Sequence, residues 1–235
     1  MNTLSVIIPV YNEKETVLEV LRRIQDVSLD LEREIVVVDD RSTDGTTEIL
    51  KGLDPKRYGV IFREKNEGKG AAIKTGLAHA TGDFVIFQDA DLEYDPADYP
   101  ALLAPLQEGR ADMVIGSRVL SGSMRLFGPH RVHFATYFGC KLIAFSINLL
   151  YGYSNTDYYG CYKAFRRGVL DSVKVGANGF EYDSELLVKL LKNRIRTAEI
   201  PIVYHPRGHR EGKKLSFWRD GFKVLSSIVR WRFKD

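Results

Sequence analysis

Five short apolar runs, each closed by a polar cluster, alternate with helix-forming stretches over the first half of the chain. They are Leu4–Val10, Glu34–Asp40, Tyr58–Phe62, Phe84–Phe87 and Asp112–Gly116. Runs apolar at nearly every position are what a strand covered on both faces requires. Alternation with helices at this spacing predicts right-handed βαβ units and a mostly parallel sheet, an α/β fold. The first helix is expected to turn Val17, Leu18, Val20, Leu21 and Ile24 inward. In such sheets ligands sit beyond the carboxyl ends of the strands. Pro9-Tyr11-Asn12-Glu13, Asp39-Asp40, Asn66 to Gly70 and Asp89-Ala90-Asp91 all fall at those ends, so one nucleotide-binding edge is expected there.

The fourth run carries the chemistry. Phe84-Val85-Ile86-Phe87 leads into Gln88-Asp89-Ala90-Asp91-Leu92-Glu93, three acids at the end of a buried strand. Acids in such a place are costly without a cation. Oxygen ligands of this kind suit Mg²⁺ or Mn²⁺, which accept one or two carboxylates together with substrate phosphates. The competing reading is that Asp91 caps a helix beginning near Asp95-Pro96. Asn66-Glu67-Gly68-Lys69-Gly70 is a glycine-rich entry into a helix over Ala71–Ala80, with backbone amides suited to phosphate. Asp40 is read as a cap of the helix that follows Ser42–Thr46.

The second half is looser. Leu120 to Pro129 is a candidate flap. Arg131 to Tyr151 is apolar and helical, and its uncharged part, Leu142 to Thr156, is 15 residues, short of the roughly 20 that span a bilayer. Further strands are expected at Gly160–Phe165 and Arg196–Tyr204, and helices at Ser184–Lys192 and Phe217–Phe233. There is no repeat, linker or low-complexity segment.

Bulk properties exclude more than they assign. The chain has 235 residues, two cysteines and a net charge of +3. Cys140 and Cys161 form no disulfide framework, and the chain opens directly into a strand, so a reducing cytoplasm is expected. Residues 201–235 hold nine Lys/Arg against three Asp/Glu, and the remainder 25 against 28. A basic end points to an anionic partner surface. The slightly acidic remainder argues against a nucleic-acid module. No glycine fingerprint follows the first strand, which argues against a dinucleotide-dependent dehydrogenase.

Taken together, Ser5–Glu13, Val38–Thr46, Asn66–Gly70, Gln88–Glu93 and Gly116-Ser117-Arg118 resemble the family 2 glycosyltransferases of the GT-A fold. Among these the chain looks like the dolichyl- or polyprenyl-phosphate mannosyl- and glucosyltransferases. The resemblance is weaker in the second half: Cys161 stands where the family usually has phenylalanine, and the basic loop Arg207–Leu215 has different spacing.

It implies one GT-A domain over residues 1–235, with a donor-binding half at 1–118 and an acceptor-binding half at 119–235. It further implies that Asp39 pairs with the nucleotide base, that Pro9, Tyr11 and Glu13 line base and ribose, and that Asn12, Asp40, Asn66, Gly68, Lys69, Gly70, Asp89, Ala90 and Asp91 complete the nucleotide-sugar site. Asp91, with Asp89 and Glu93, would hold the metal. Arg118 and Arg131, with Arg207, would grip an acceptor phosphate, and Asp91, Arg118 and Arg131 would be catalytic. The implied reaction is hexose transfer, mannose from GDP-mannose, onto a polyprenyl or dolichyl phosphate at the cytoplasmic face of a membrane. A UDP-sugar donor or a hydroxyl acceptor is the alternative, with Glu181, Asp183 or Glu185 as base. A non-catalytic nucleotide-sugar binding protein is a third, disfavoured by the intact acids.

Overall fold

The computed structural model describes residues 2–127, 132, 134–206 and 217–234, without the side chains of residues 217–220, 222 and 223. Arg131, Arg207, Lys213 and Lys214 lie outside the described residues. The expected alternation is present: β1 (Thr3–Val10), α1 (Val17–Asp26), β2 (Glu32–Asp39), α2 (Thr46–Lys51), β3 (Tyr58–Phe62), α3 (Lys69–His79) and β4 (Phe84–Phe87) follow in order. Then come a 3₁₀ turn (Pro96–Asp98), α4 (Tyr99–Gln107) and β5 (Met113–Ser117). The remainder comprises α5 (Phe134–Tyr151), β6 (Lys163–Arg166), α6 (Arg167–Asp171), α7 (Glu181–Lys192), β7 (Thr197–Pro201) and α8 (Phe217–Phe233).

The strands form one seven-stranded sheet in the order β3-β2-β1-β4-β6-β5-β7. All neighbours are parallel except β6, which runs antiparallel between β4 and β5. Two strands of the second half thus complete the sheet begun by the first, and the chain is one domain. The pleat sends alternate residues of β1 to opposite faces. Val6, Ile8 and Val10 meet α1 and α4 on one face, and Ile7 meets the layer of α3, α5, α7 and α8 on the other. Burial on both faces is why β1, β4 and β5 read as continuous apolar runs.

Three local expectations change. Leu18 is 51 % exposed, because the buried stripe of α1 is Val17, Val20, Leu21 and Ile24. Asp95, not Asp91, caps the 3₁₀ turn, its Oδ1 accepting from Ala97 N at 3.0 Å. Helix α5 covers 18 residues with one lysine, so by length and composition it is able to cross a bilayer, contrary to the expectation that no segment could. The apolar stretch begins earlier than a count from Leu142 suggests.

Candidate active site

The C-terminal ends of β1, β2 and β4 converge as the parallel register demands, and hydrogen bonds tie their loops together. Pro9 and Tyr11 are half-buried at the end of β1. Asn12 follows with φ +53°, a left-handed conformation that asparagine tolerates. Its N–H donates to Ser42 Oγ at 2.9 Å, and its Oδ1 accepts from Thr43 N at 2.7 Å. Glu13 N donates to Thr46 Oγ1 at 3.0 Å, and Thr16 Oγ1 donates to the Ala90 carbonyl at 2.7 Å. The loops after β1, β2 and β4 therefore form one connected wall.

Within that wall Asp39 and Asp40 take different partners. Asp39 organises its own turn, accepting from Ser42 N at 3.0 Å and from Thr47 Oγ1 of α2 at 2.5 Å. Asp40 does not cap α2. Its carboxylate pairs with Arg63 and accepts from Glu67 N at 3.3 Å and Gly68 N at 2.8 Å.

Two of the amides expected to cradle phosphate, those of Glu67 and Gly68, are accordingly engaged within the protein, and Ala71 N donates to Asn178 O at 3.0 Å. Gly68, at φ +99°, makes the entry turn, while Asn66 is exposed before it. Gly70 permits close packing: a Cβ there would collide with Tyr182 and stand 2.9 Å from the carbonyls of Asn178 and Gly179. Two glycines predicted to contact a nucleotide thus dock α3 on the loop before α7.

That docking aims Lys69 at the acids. Its Nζ lies 2.6 Å from Asp89 Oδ1 and 3.9 Å from Asp183 Oδ2 in the first turn of α7. Burial alone would pull the ammonium pKa down, but Asp89, then Cys161 and Asp183, more than reverse this and hold it well above the ordinary lysine value. Burial likewise pushes Asp89 up, and Lys69, a hydrogen bond from the Cys161 thiol and the charge of Lys163 together bring it below the usual carboxylate range. Lys163 is buried, donating to Gly160 O at 2.6 Å.

Of the three acids considered as bases, Asp183 alone approaches this cluster. Glu185 is turned to Gly176 N, Ala177 N and Lys189, and Glu181 lines a separate groove with Trp231.

The expected metal trio does not assemble. Among the described residues no three His, Cys, Asp or Glu side chains converge to hold a metal. Asp89 is paired with Lys69, and Glu93 takes a hydrogen bond from the Tyr204 hydroxyl. Asp91 is half-buried at the strand end, its Oδ1 accepting from Glu93 N at 3.1 Å across Leu92, held at φ +62°. One carboxylate completed by phosphate oxygens and water is a donor set that Mg²⁺ and Mn²⁺ accept. The residues present therefore fit a metal that arrives with a diphosphate at Asp91, not a preformed three-carboxylate cage.

The acceptor side also differs from expectation. Arg118 is buried in a bidentate pair with Asp157, Nε to Oδ2 at 2.7 Å and Nη2 to Oδ1 at 3.0 Å. Its guanidinium stacks over Tyr204, 5.2 Å from the ring centroid. It is thus engaged in fixing the 153–162 loop to β5, with Glu199 accepting from Thr156 N and Asp157 N at 2.9 Å. A free fork for an acceptor phosphate is not what this geometry presents. Asp112, at the start of the same run, pairs instead with Arg196. Asp157 was the residue sequence reasoning missed as a partner: it lies 39 positions away, and only the sheet brings it to Arg118.

Comparison with known proteins agrees with this architecture. Residues 5–174 match the sequence profile of glycosyl transferase family 2. The chain is 30% identical over 233 residues to a low-salt glycan biosynthesis hexosyltransferase of Haloferax volcanii, covering 97% of this chain and 53% of that protein. It is 33% identical over 216 residues to a dolichol-phosphate mannosyltransferase of Pyrococcus furiosus, covering 89% and 58%. The chain thus spans little more than half the length of these curated relatives. Glucosyl-3-phosphoglycerate synthase of Mycobacterium tuberculosis, solved with UDP, superimposes with a TM-score of 0.74 at 24% identity over 98% of this chain and 80% of that one, which shows the shared fold. On the profile match over most of its length, this chain belongs to glycosyltransferase family 2.

Proposed function

We propose that the chain transfers a hexosyl group from a nucleoside diphosphate sugar, GDP-mannose in the first instance, to a polyprenyl phosphate at a membrane surface, with Mg²⁺ or Mn²⁺. The observation that carries it is the joined wall of β1, β2 and β4 ends with Asp91 at its rim and the Lys69–Asp89 pair beside it. The acceptor follows from relatives: the Pyrococcus furiosus mannosyltransferase and an undecaprenyl-phosphate 4-deoxy-4-formamido-L-arabinose transferase of Pseudomonas fluorescens, 29% identical over 91% of this chain.

When bound, the divalent ion would neutralise charge developing on the leaving diphosphate. Asp91 would hold that ion at the edge of β4. Lys69 brings a second positive charge to the same side, fixed by Asp89 and costing no reorganisation during transfer. The Asp39 turn and the Asn12–Ser42 bridge fix the wall against which the base and ribose would lie. A phosphate acceptor is already an anion at neutral pH, so transfer to it needs positioning more than a general base.

A second reading rests on Asp183. Its carboxylate stands beside the Lys69–Asp89 pair, where a base for a hydroxyl acceptor would be useful.

The donor half is tested by calorimetry with GDP and UDP in the presence of Mn²⁺. Asp39→Ala is expected to weaken nucleotide binding by about tenfold to a hundredfold, the cost of losing hydrogen bonds to a buried carboxylate. Nucleotide affinity equal to wild type in that variant would remove Asp39 from the donor site. Retained affinity for GDP alone would favour the guanine donor.

A further inference from the structure

Backbone strain gathers on the binding edge. Among the described residues four non-glycines have a left-handed backbone, and three of them, Asn12, Arg41 and Leu92, follow β1, β2 and β4. The fourth, Arg194, stands just past α7, where a left-handed residue is an ordinary helix ending. Asn12 tolerates the conformation, and its side chain holds Thr43. Arginine gains nothing from φ +63° that glycine would not provide without steric cost. Strain of this kind persists where a site needs the side chain.

Arg41 sits inside the turn against which the nucleotide base would lie. Its neighbours Asp39 and Asp40 are turned inward, 1% and 3% exposed. Their carboxylates accept from Ser42, Thr47, Arg63, Glu67 and Gly68. Of the charged residues from Asp39 to Gly45, Arg41 alone is exposed. Its Nη1 donates to the Glu64 carbonyl beyond β3, so the guanidinium is anchored across the ends of β2 and β3. Arg63 N closes the same seam, donating to the Asp39 carbonyl at 3.0 Å. A guanidinium carries five N–H groups in a planar fork, and this anchor takes one of its nitrogens.

We propose that Arg41 reads the base of the donor and selects guanine, donating one N–H to O6 and one to N7. The inference rests on the nucleotide-sugar reading above and names the residue that chooses the nucleotide. Guanine presents O6 and N7 as neighbouring acceptors, the pair that an arginine fork fits. Uracil has O4 between a C–H and the N3–H donor, so the fork makes one good bond there. The anchor at Glu64 matters as well, because a side chain held before binding loses little freedom when the base arrives.

The test is calorimetry of the full chain with GDP, 7-deaza-GDP and UDP in the presence of Mn²⁺. Wild type is expected to bind GDP about tenfold to a hundredfold more tightly than UDP, the range for one bidentate contact. 7-Deaza-GDP lacks the N7 acceptor and should fall between them. Arg41→Gly is expected to lose most of that GDP affinity and to bind GDP and 7-deaza-GDP alike. Glycine suits φ +63°, so the unfolding temperature should stay close to wild type and the loss is not misfolding. Arg41→Lys keeps the charge without the fork, and it too should lose the distinction between GDP and 7-deaza-GDP.

Wild type binding UDP as tightly as GDP would overturn the proposal, as would 7-deaza-GDP binding like GDP. So would a GDP preference that survives in both variants. None of these results bears on transfer to a lipid phosphate. Conversely, a guanine preference lost in both variants, in a protein that forms no mannosyl lipid from GDP-mannose, counts against the acceptor and leaves Arg41 as the reader of the base.

Discussion

Asp91→Asn is expected to lower kcat/KM by about a hundredfold to a thousandfold, the range for losing one electrostatic stabiliser of a developing charge. Asparagine keeps the size of the side chain and an oxygen to accept from Glu93 N, so the turn at Leu92 should survive. Only the charge that would hold a divalent ion against the diphosphate is removed. Binding of nucleoside diphosphate should lose its dependence on Mn²⁺, while the unfolding temperature stays within a degree or two of wild type. Chelation of the wild-type protein should reproduce the loss. Full activity in the variant, or in chelator, would show that Asp91 holds no metal.

The largest effect on stability is expected at Arg118 and Asp157. Their side chains are 7% and 1% exposed. Removing one partner of a buried pair strands the other charge, at about 3–5 kcal/mol. Arg118→Leu or Asp157→Leu alone should each lower the unfolding free energy read from urea titration by that order, whereas replacing both with apolar residues should restore much of it.

Burial pushes the Asp157 carboxyl up, but Arg118 and the backbone N–H groups of Tyr159 and Arg118 hold it below its ordinary value. A depressed folded value gives stability that is full above the unfolded carboxyl value of about 3.9 and is lost as pH falls through the lower folded value. The acid-side loss should therefore shrink in the double variant. Equal stability of the two single variants and wild type would mean that the pair holds nothing together.

The parts of the fold that could be read from sequence are those where burial leaves a one-dimensional trace. β1, β2, β4 and β5 announce themselves because strands covered on both faces are apolar along their buried length. β3 is an edge strand that is apolar without being buried, and the polar strand ends mark the binding edge. The direction of β6 leaves no such trace: Lys163–Arg166 reads the same parallel or antiparallel, and only its pairing with β4 and β5 decides.

Site residues divide similarly. Placement at the strand ends was legible for Asn12, Asp39, Asp89 and Asp91. The partner of each side chain was not. Arg118 finds Asp157, Asp40 finds Arg63, and Lys69 finds Asp89 only through tertiary packing. Asp89, Asp91 and Glu93 look like one ligand set because they are two residues apart. Instead Asp89 pairs with Lys69, Asp91 accepts from Glu93 N across the turn at Leu92, and the Glu93 side chain accepts from Tyr204.

Identification of the product tests the central reading most directly. The protein would be incubated with GDP-mannose, UDP-glucose and UDP-N-acetylglucosamine, Mn²⁺ and a short polyprenyl phosphate, and the lipid fraction analysed by mass. The expected result is one new species, the acceptor plus one hexose, formed from one donor, with the sugar joined through the phosphate and released by mild acid. Transfer to a hydroxyl acceptor with none to the lipid phosphate, abolished by Asp183→Asn, would contradict it.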